Sequence, residues 1–414
     1  MRVAFYGNVC NIFYQIAKAV RAHSDIDAHL FVNSTDHSQF FPESDDPEIL
    51  DDPPNWIHRG NYQHRGWFAA PWTSSLVPLL ESFDLVVCGD MGPMIAQFAR
   101  KPMALLAMGA DLFSYPFPDR FYYLYPFWKD RIGLALKGLW QRRALRRMRE
   151  IWMQPLNMNL YAVRDLRLDP RRISPLYYPV VIDSRKIAPR GIPANVPSEL
   201  RFPSDRPRPF LVFHPTRIQI DEYDAKGAQG QGKGNLRLFE GFADFLRQTR
   251  PPDARLVLVD RDTCMDGPKA KRWFAQAGIE QNVVWLKPPR SSGFSRAELV
   301  DLYSACDVVA DQFGDQGQGF GCITLEGCAC ARPVVTVLDE SFLSRLYPWH
   351  PLLGASSPSE IAARLSSLFL DSAQREAIGM RSRQWIEQFH SHDAAGPIYA
   401  ERLESLAART AAPN

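Results

Sequence analysis

Residues 307–335 read DVVADQFGDQGQGFGCITLEGCACARPVV. The apolar run 307–310 has the length of a strand. A glycine-rich polar loop follows it, and a helix is predicted to begin near Ile323 or Thr324. Gly317, Gly319 and Gly321 allow positive φ and close approach of the backbone to a ligand. A helix start presents unpaired N–H groups, which makes it a natural seat for a phosphate. Glu326 falls within the first turn or so and is placed to accept hydrogen bonds from sugar or ribose hydroxyls. The plainer reading of the same residues is a loop-to-helix connection with a capping Glu.

A second segment, 213–235 (FHPTRIQIDEYDAKGAQGQGKGN), repeats the plan of strand, polar loop and helix. Arg217 and Lys233 put two cations at the carboxyl side of that strand. A departing diphosphate needs such cations, and a charge-assisted hydrogen bond contributes about 1.5–3 kcal/mol. A solvated basic loop is the competing reading.

Further strands are predicted at 2–6 (RVAFY), 28–32 (AHLFV), 84–88 (DLVVC), 103–108 (MALLAM), 210–213 (FLVF), 255–259 (RLVLV), 282–285 (NVVW) and 333–337 (PVVTV). Continuous apolar runs suit strands buried on both faces of a parallel sheet. Helical spacing lies between or after them, at 12–20, 236–246, 298–305 and 360–369. The alternation predicts an α/β protein of two Rossmann-like, doubly wound domains. Pro189, Pro193, Pro197, Pro203, Pro207 and Pro209 mark a linker region. The predicted domains are 1–190 and 210–389, with a linker at 191–209. The last helix, about 390–414, is open to packing back on the first domain. Ligands of open α/β sheets bind beyond the carboxyl ends of the strands, so two facing sheets would hold one in a central cleft.

The chain has 414 residues and a formal net charge of +2. The length exceeds what one core supports, and the charge gives no whole-molecule case for nucleic-acid binding. Seven cysteines, and no basic segment followed by an apolar one at the start, point to a reducing, cytoplasmic setting. Cys322, Cys328 and Cys330 cluster without a CxxC pair, so no metal site is expected and buried thiols are.

The two donor-side segments together resemble glycosyltransferase family 4, retaining enzymes of the GT-B fold. Arg217 and the pair Lys233-Gly234 match the family's cations after the first strand of its second domain. Gly319-Phe320-Gly321, Glu326 and Arg332-Pro333-Val334-Val335 match its second motif. The segment 178–183 (YPVVID) resembles the strand that ends the family's first domain. The resemblance covers roughly 210–384 well and the first domain by layout alone. The family's earlier Glu falls at Gln318, which can donate and accept but carries no charge. Some relatives lack that Glu and carry an Asp-Gln pair before the loop, as Asp311-Gln312 does here.

The resemblance implies transfer of a sugar from a nucleotide-diphosphate sugar, with retention and without a catalytic metal or further cofactor. Arg217, Lys233 and the helix start at Ile323–Thr324 would stabilise the leaving diphosphate. Glu326 would hold the ribose, Gln318 to Gly321 the donor, and Pro288 would lie near the base. Gly7 and Asn8 would face the cleft. Asp111, in Met108-Gly109-Ala110-Asp111, is the candidate acceptor contact, where the family often reads His-Gly-Ser-Asp. A helix cap or turn residue is the even alternative for it. His64 is a candidate substitute for the absent His and is more simply read as a surface residue. The acceptor would be a glycan or a lipid-linked glycan of the cell envelope. A sugar-nucleotide epimerase and a catalytically silent binding protein are the alternatives.

Between Phe113 and Trp128 lie nine aromatic residues, and 129–149 carries eight Lys or Arg against Asp130 alone. Ile132, Leu136, Leu139, Trp140 and Met148 are predicted to share one helical side. A basic amphipathic helix with interfacial aromatics suits peripheral contact with an anionic membrane, here on its cytoplasmic face. A core-facing helix with a solvated basic face explains the pattern equally well. No nucleic-acid-binding motif accompanies the patch.

Overall fold

Strands buried on both faces need helices on both sides, and the chain supplies them twice. The computed structural model describes residues 1–36, 40–62, 69–124, 127–154, 157–175, 180–191, 196–202, 207–220, 232–261, 266–290, 293–314 and 320–411. It divides into two compact units, Met1–Val181 with Ser391–Asn414, and Ile182–His390. The proline-rich stretch thus lies inside the second unit.

The first unit holds a seven-stranded parallel sheet. Its strands are β1 (Arg2–Tyr6), β2 (Asp27–Asn33), β3 (Ile57–Gly60), β4 (Leu85–Cys88), β5 (Met103–Leu106), β6 (Glu150–Met153) and β7 (Ile173–Pro175), in the order β3-β2-β1-β4-β5-β6-β7. In the register, Val3 pairs with Ala28 on one side and Leu85 on the other. The order reverses between β1 and β4, which makes their carboxyl ends the switch point of this sheet. Gly7 ends β1 there with φ +99°, and a Cβ on it would stand 2.1 Å from the Gly89 carbonyl oxygen. Only glycine permits that approach.

The second unit holds β8 (Phe210–His214), β9 (Ala254–Val259), β10 (Val283–Leu286), β11 (Val308–Ala310), β12 (Val334–Thr336) and β13 (Leu353–Gly354), in the order β10-β9-β8-β11-β12-β13. All are parallel, and the switch point lies between β8 and β11. The core packs Phe239, Phe242 and Phe245 of the Asn235–Thr249 helix against buried β8 and β9 residues and against Ile361 and Leu365 of the Pro358–Leu370 helix. Two helices begin with reciprocal capping boxes, Ser295 with Glu298 and Ser357 with Glu360.

Several expectations need correction. Described residues 180–183 form no extended strand; Ile182 donates its N–H to the His390 carbonyl at 2.8 Å instead. The basic stretch is a helix only to Arg147, and β6 begins at Glu150. That helix, Trp128–Arg147, does not gather its bulky apolar residues on one side. It buries Gly133, Gly138, Gln141, Ala144 and Leu145, while Ile132 and Leu139 are about half exposed, at 50% and 49%. A helix spans Ser372–Phe389, where too few apolar residues (Trp385 and Ile386 are buried) mark a face. The last helix is His392–Ala411, carries Pro397 within it, and packs on the Ile12–His23 helix of the first unit.

Candidate functional site

The carboxyl ends of β8 and β11 lie side by side, and one side chain joins what leaves them. Asp311, the first residue after β11, is buried. Its Oδ2 accepts the Gly321 N–H at 2.8 Å and the Thr324 hydroxyl at 2.7 Å. Its Oδ1 accepts the Thr216 hydroxyl at 3.3 Å. The carboxylate therefore ties the exit of β8 and the exit of β11 to the start of the Cys322–Ala329 helix.

That helix starts one residue before the predicted position, with Gly321 as its N-cap and no side-chain cap. Gly321 has φ −89°, so it is not needed for a left-handed backbone. A Cβ there would meet Asp311 Oδ2 at 2.9 Å, and this close approach is the reason for glycine. Cys322 and Ile323 form the first turn. Thr324 is fully buried, its hydroxyl committed to Asp311.

Lys233 and Arg217 come to the same edge. Lys233 Nζ donates to Gln312 Oε1 at 2.9 Å, and its carbonyl accepts the Phe313 N–H at 2.8 Å. The two sequence segments thus meet directly. Arg217 is half-buried, its Nη2 3.4 Å from Gln219 Oε1. Beneath them lies a buried pair that the sequence reading missed. His214 Nδ1 is 2.8 Å from the Ala310 carbonyl, and its Nε2 is 2.8 Å from the Asn235 amide nitrogen. This assigns the proton to Nδ1 and makes Nε2 the acceptor. Burial pushes the His214 pKa down to about 4, so the ring stays neutral. Asn235 Oδ1 in turn accepts the Gln219 N–H at 2.8 Å.

Other predicted residues sit differently from expectation. Phe320, assigned to the donor loop, is buried, its ring 5.6 Å from Trp385 and 6.4 Å from His390. Its ring anchors the chain entering the helix. Glu326 is buried in an ion pair with Arg296 and accepts the Tyr303 hydroxyl at 2.8 Å. Neither partner was expected; both come from the Arg296–Ala305 helix. Pro288 lies two residues past β10, at the outer edge of the sheet. Gln318 and Gly319 lie outside the described residues, as does His64.

In the first unit Asp111 turns inward. Its carboxylate accepts the N–H groups of Met108 at 3.0 Å, Gly109 at 3.0 Å and Asp90 at 3.2 Å. At 1% exposure it organises the turn after β5, which is the turn-residue alternative of the sequence reading. Burial outweighs those donors and pushes its pKa up to about 7. The group nearer the surface is Asp90, which the sequence reading passed over. It ends the β4 segment with φ 50°, a conformation that non-glycine residues adopt at a cost of about 1–3 kcal/mol. The Tyr115 hydroxyl donates to its Oδ1 at 2.8 Å, and the Lys137 ammonium stands 3.5 Å from the Tyr115 ring centroid. Burial pushes the Lys137 pKa down to about 8, against the opposing pull of Asp90. Asn8 is buried, its amide donating to Asn11 and to the Phe40 carbonyl. Among the described residues no group of three or more His, Cys, Asp or Glu is arranged to hold a metal ion.

With this geometry in hand, the solved structures are informative. Anabaena HepE, in complex with UDP and glucose, superposes with a TM-score of 0.63 at 16% identity, over 98% of this chain and 100% of that one. Sucrose-phosphate synthase from Thermosynechococcus elongatus gives 0.62 at 14% identity, over 99% and 100%. A UDP-forming trehalose-phosphate synthase from Burkholderia xenovorans gives 0.62 at 13% identity, over 100% and 99%. The fold is GT-B. In sequence, the D-inositol 3-phosphate glycosyltransferase of Kineococcus radiotolerans is 32% identical over 151 residues, 32% of this chain and 32% of that protein. The match therefore spans about a third of that relative's length. No family model matches the chain.

The Asp111 carboxyl within this GT-B chain gives a pH test. Its native pKa lies above its ordinary value of 3.8, so the folded state holds the proton longer than the unfolded state. Stability from this group is full at low pH and is lost as pH rises from about 4 to about 7. Urea titrations should show wild type losing stability relative to Asp111→Asn across that range, with a constant gap above it. A gap independent of pH contradicts the buried, proton-retaining carboxyl.

Proposed function

We propose that the chain is a retaining glycosyltransferase that moves a sugar from a nucleotide-diphosphate sugar to a glycan or lipid-linked acceptor, in polysaccharide synthesis. The observation that carries this reading is the meeting of Lys233, Arg217 and the Asp311-held helix start at the carboxyl edge of β8 and β11. The bond between the anomeric carbon and the diphosphate oxygen breaks, and negative charge collects on the phosphates. Two cations and the helix start lower the energy of that charge, and stabilisation of this kind needs no divalent ion. Asp311 fixes the donors in advance and so spares their reorganisation during reaction. HepE has been solved with UDP-glucose, which supports a UDP-sugar as the donor class.

Glu326 has spare acceptor capacity beyond Arg296 and Tyr303, because a carboxylate offers about four lone-pair sites. Its assigned role is to hold the ribose in an orientation set by those two partners. The first unit takes the acceptor side. There Asp90, and not Asp111, is the carboxylate placed to contact an acceptor hydroxyl.

The membrane belongs to the same reading. Tyr123, Phe127 and Trp128 are 67%, 69% and 66% exposed and lead into the helix that also exposes Ile132 and Leu139. Lys129, Arg131, Arg143, Arg146 and Arg147 are exposed along it. Arg142 is not part of that face, because it donates to the Pro116 carbonyl at 2.7 Å. Aromatics at an interface and basic side chains over anionic headgroups suit peripheral attachment on a cytoplasmic leaflet. Among the described residues no helix is long and apolar enough to cross a membrane.

Two experiments follow. Turnover of UDP- and GDP-sugars should fall about 100- to 1,000-fold in Lys233→Ala and in Arg217→Ala, the range for losing one transition-state donor. Unchanged turnover in both, or turnover without any acceptor to give an epimerised donor, contradicts the reading. Co-sedimentation with phosphatidylglycerol vesicles should occur at low salt and drop several-fold for Trp128→Ala with Lys129→Ala. No sedimentation of wild type at low salt removes the membrane from the proposal.

A further inference from the structure

The amino ends of the second sheet carry a cavity that the reaction above does not use. Phe210 opens β8, Asp253 precedes β9 and Asp307 precedes β11, and all three line a cavity of about 540 Å³. This is the edge opposite to Lys233 and the Cys322–Ala329 helix. The volume lies within the range of small-molecule sites, roughly 300–1,000 Å³.

Its walls combine charge with flat apolar surface. Arg208, Arg255 and Arg375 line it, with Phe202, Phe210 and Phe369 between them. Arg255 lies 5.2 Å from the Phe202 ring centroid, and Arg375 lies 5.6 Å from that of Phe210. Asp253 engages Arg255 through two contacts, at 3.1 and 3.2 Å. Asp307 serves both other arginines, Arg208 at 3.3 Å and Arg375 at 3.9 Å. Among the described residues of the lining, three guanidinium groups stand against two carboxylates.

Donor capacity points the same way. A guanidinium carries five N–H donors. The protein takes two from Arg208, for Asp307 and the Ala305 carbonyl. It takes two from Arg255 for Asp253, and one from Arg375 for the Leu368 carbonyl. The donors left over among the described residues are of the kind that suits an oxyanion, since guanidinium forks bind phosphoryl and carboxylate groups in pairs. Phe202 and Phe369, partly exposed in the lining, add apolar surface that suits a ring attached to the anion.

We propose that this cavity is a second ligand site, for a small organic phosphate whose phosphoryl group meets Arg208, Arg255 and Arg375 and whose ring lies beside Phe202 and Phe369, which are partly exposed while Phe210 is buried. It is independent of the donor site and stands whether or not the chain transfers sugars. Binding to the full chain is measured by calorimetry with phenyl phosphate, inorganic phosphate and phenol as probes. Phenyl phosphate should bind, with inorganic phosphate and phenol each about tenfold weaker or more, and excess UDP should not displace it. Arg255→Gln should weaken phenyl phosphate about tenfold, the scale of one charge-assisted hydrogen bond. Asp253 is 41% exposed and is left to water in that variant, while both pairs of Asp307 are kept. Arg255→Lys, which keeps the charge and loses the fork, should fall between the two. No binding of phenyl phosphate, displacement by UDP, or equal affinity in Arg255→Gln overturns the proposal.

Discussion

The carboxylate of Asp311 is the constraint on which the rest of the second unit's site depends. Three hydrogen bonds converge on it, from Thr216, Gly321 and Thr324. Each involves a charged acceptor away from water, where such bonds contribute most. The start of the Cys322–Ala329 helix has no side-chain cap of its own, and Asp311 is what ties it to the exits of β8 and β11 by hydrogen bonds. Gln312, the next residue, holds Lys233, so the position of one cation follows from the same turn of chain. Phe320 closes the other side by burying its ring near Trp385 and His390. The helix N-terminus and the cation are therefore set by buried contacts and not by the ligand they would meet.

The same logic, with other residues, orders the first unit. Asp111 gathers the N–H groups of Met108 and Gly109 after β5 and of Asp90 after β4, and Gly7 brings the end of β1 against Gly89 after β4. One consequence is that Asp90 is held in a left-handed conformation beside Tyr115 and Lys137. Both units thus use a buried carboxyl group to tie the chain leaving neighbouring strands, β8 and β11 in the second and β4 and β5 in the first. In the second unit two cations stand nearby, and in the first a surface carboxylate does.

The central strands were readable because parallel strands with both faces covered are continuous apolar runs: β1, β4, β5, β8 and β9 all show it. Edge strands β3, β7 and β13 are too short or too mixed to carry such a run, whereas the edge strand β10 does carry one. β6 was hidden by its arginine-rich flank and by Glu150, which is buried only because Ser174 and Arg409 satisfy it. The Ser372–Phe389 helix was hidden by its charged exterior. Lys233 and Arg217 stand out in the sequence because their residue types advertise phosphate chemistry, and they come to one strand edge; Gly317 and Gly319 lie outside the described residues. Asp311 as the hub, the His214–Asn235 pair and the Arg296–Tyr303 hold on Glu326 do not stand out, since each joins residues far apart in the chain. Asp111 was placed correctly at a strand end. Of the two readings given for it, acceptor contact and turn residue, the N–H groups of Met108, Gly109 and Asp90 that it accepts fit the second; the sequence could not decide because only the folded loop presents those groups.

The two edges of the second sheet differ in chemistry, and this makes the donor assignment directly observable. Hydrogen exchange by mass spectrometry, with and without a saturating UDP-sugar, reports which edge the nucleotide covers. Slower exchange in peptides spanning 211–217, 232–238 and 320–329 is the expected result. Slower exchange only at the amino edge, in peptides spanning 207–210 and 252–255, or no change anywhere in the second unit, would contradict a donor held by Lys233, Arg217 and the Cys322–Ala329 helix.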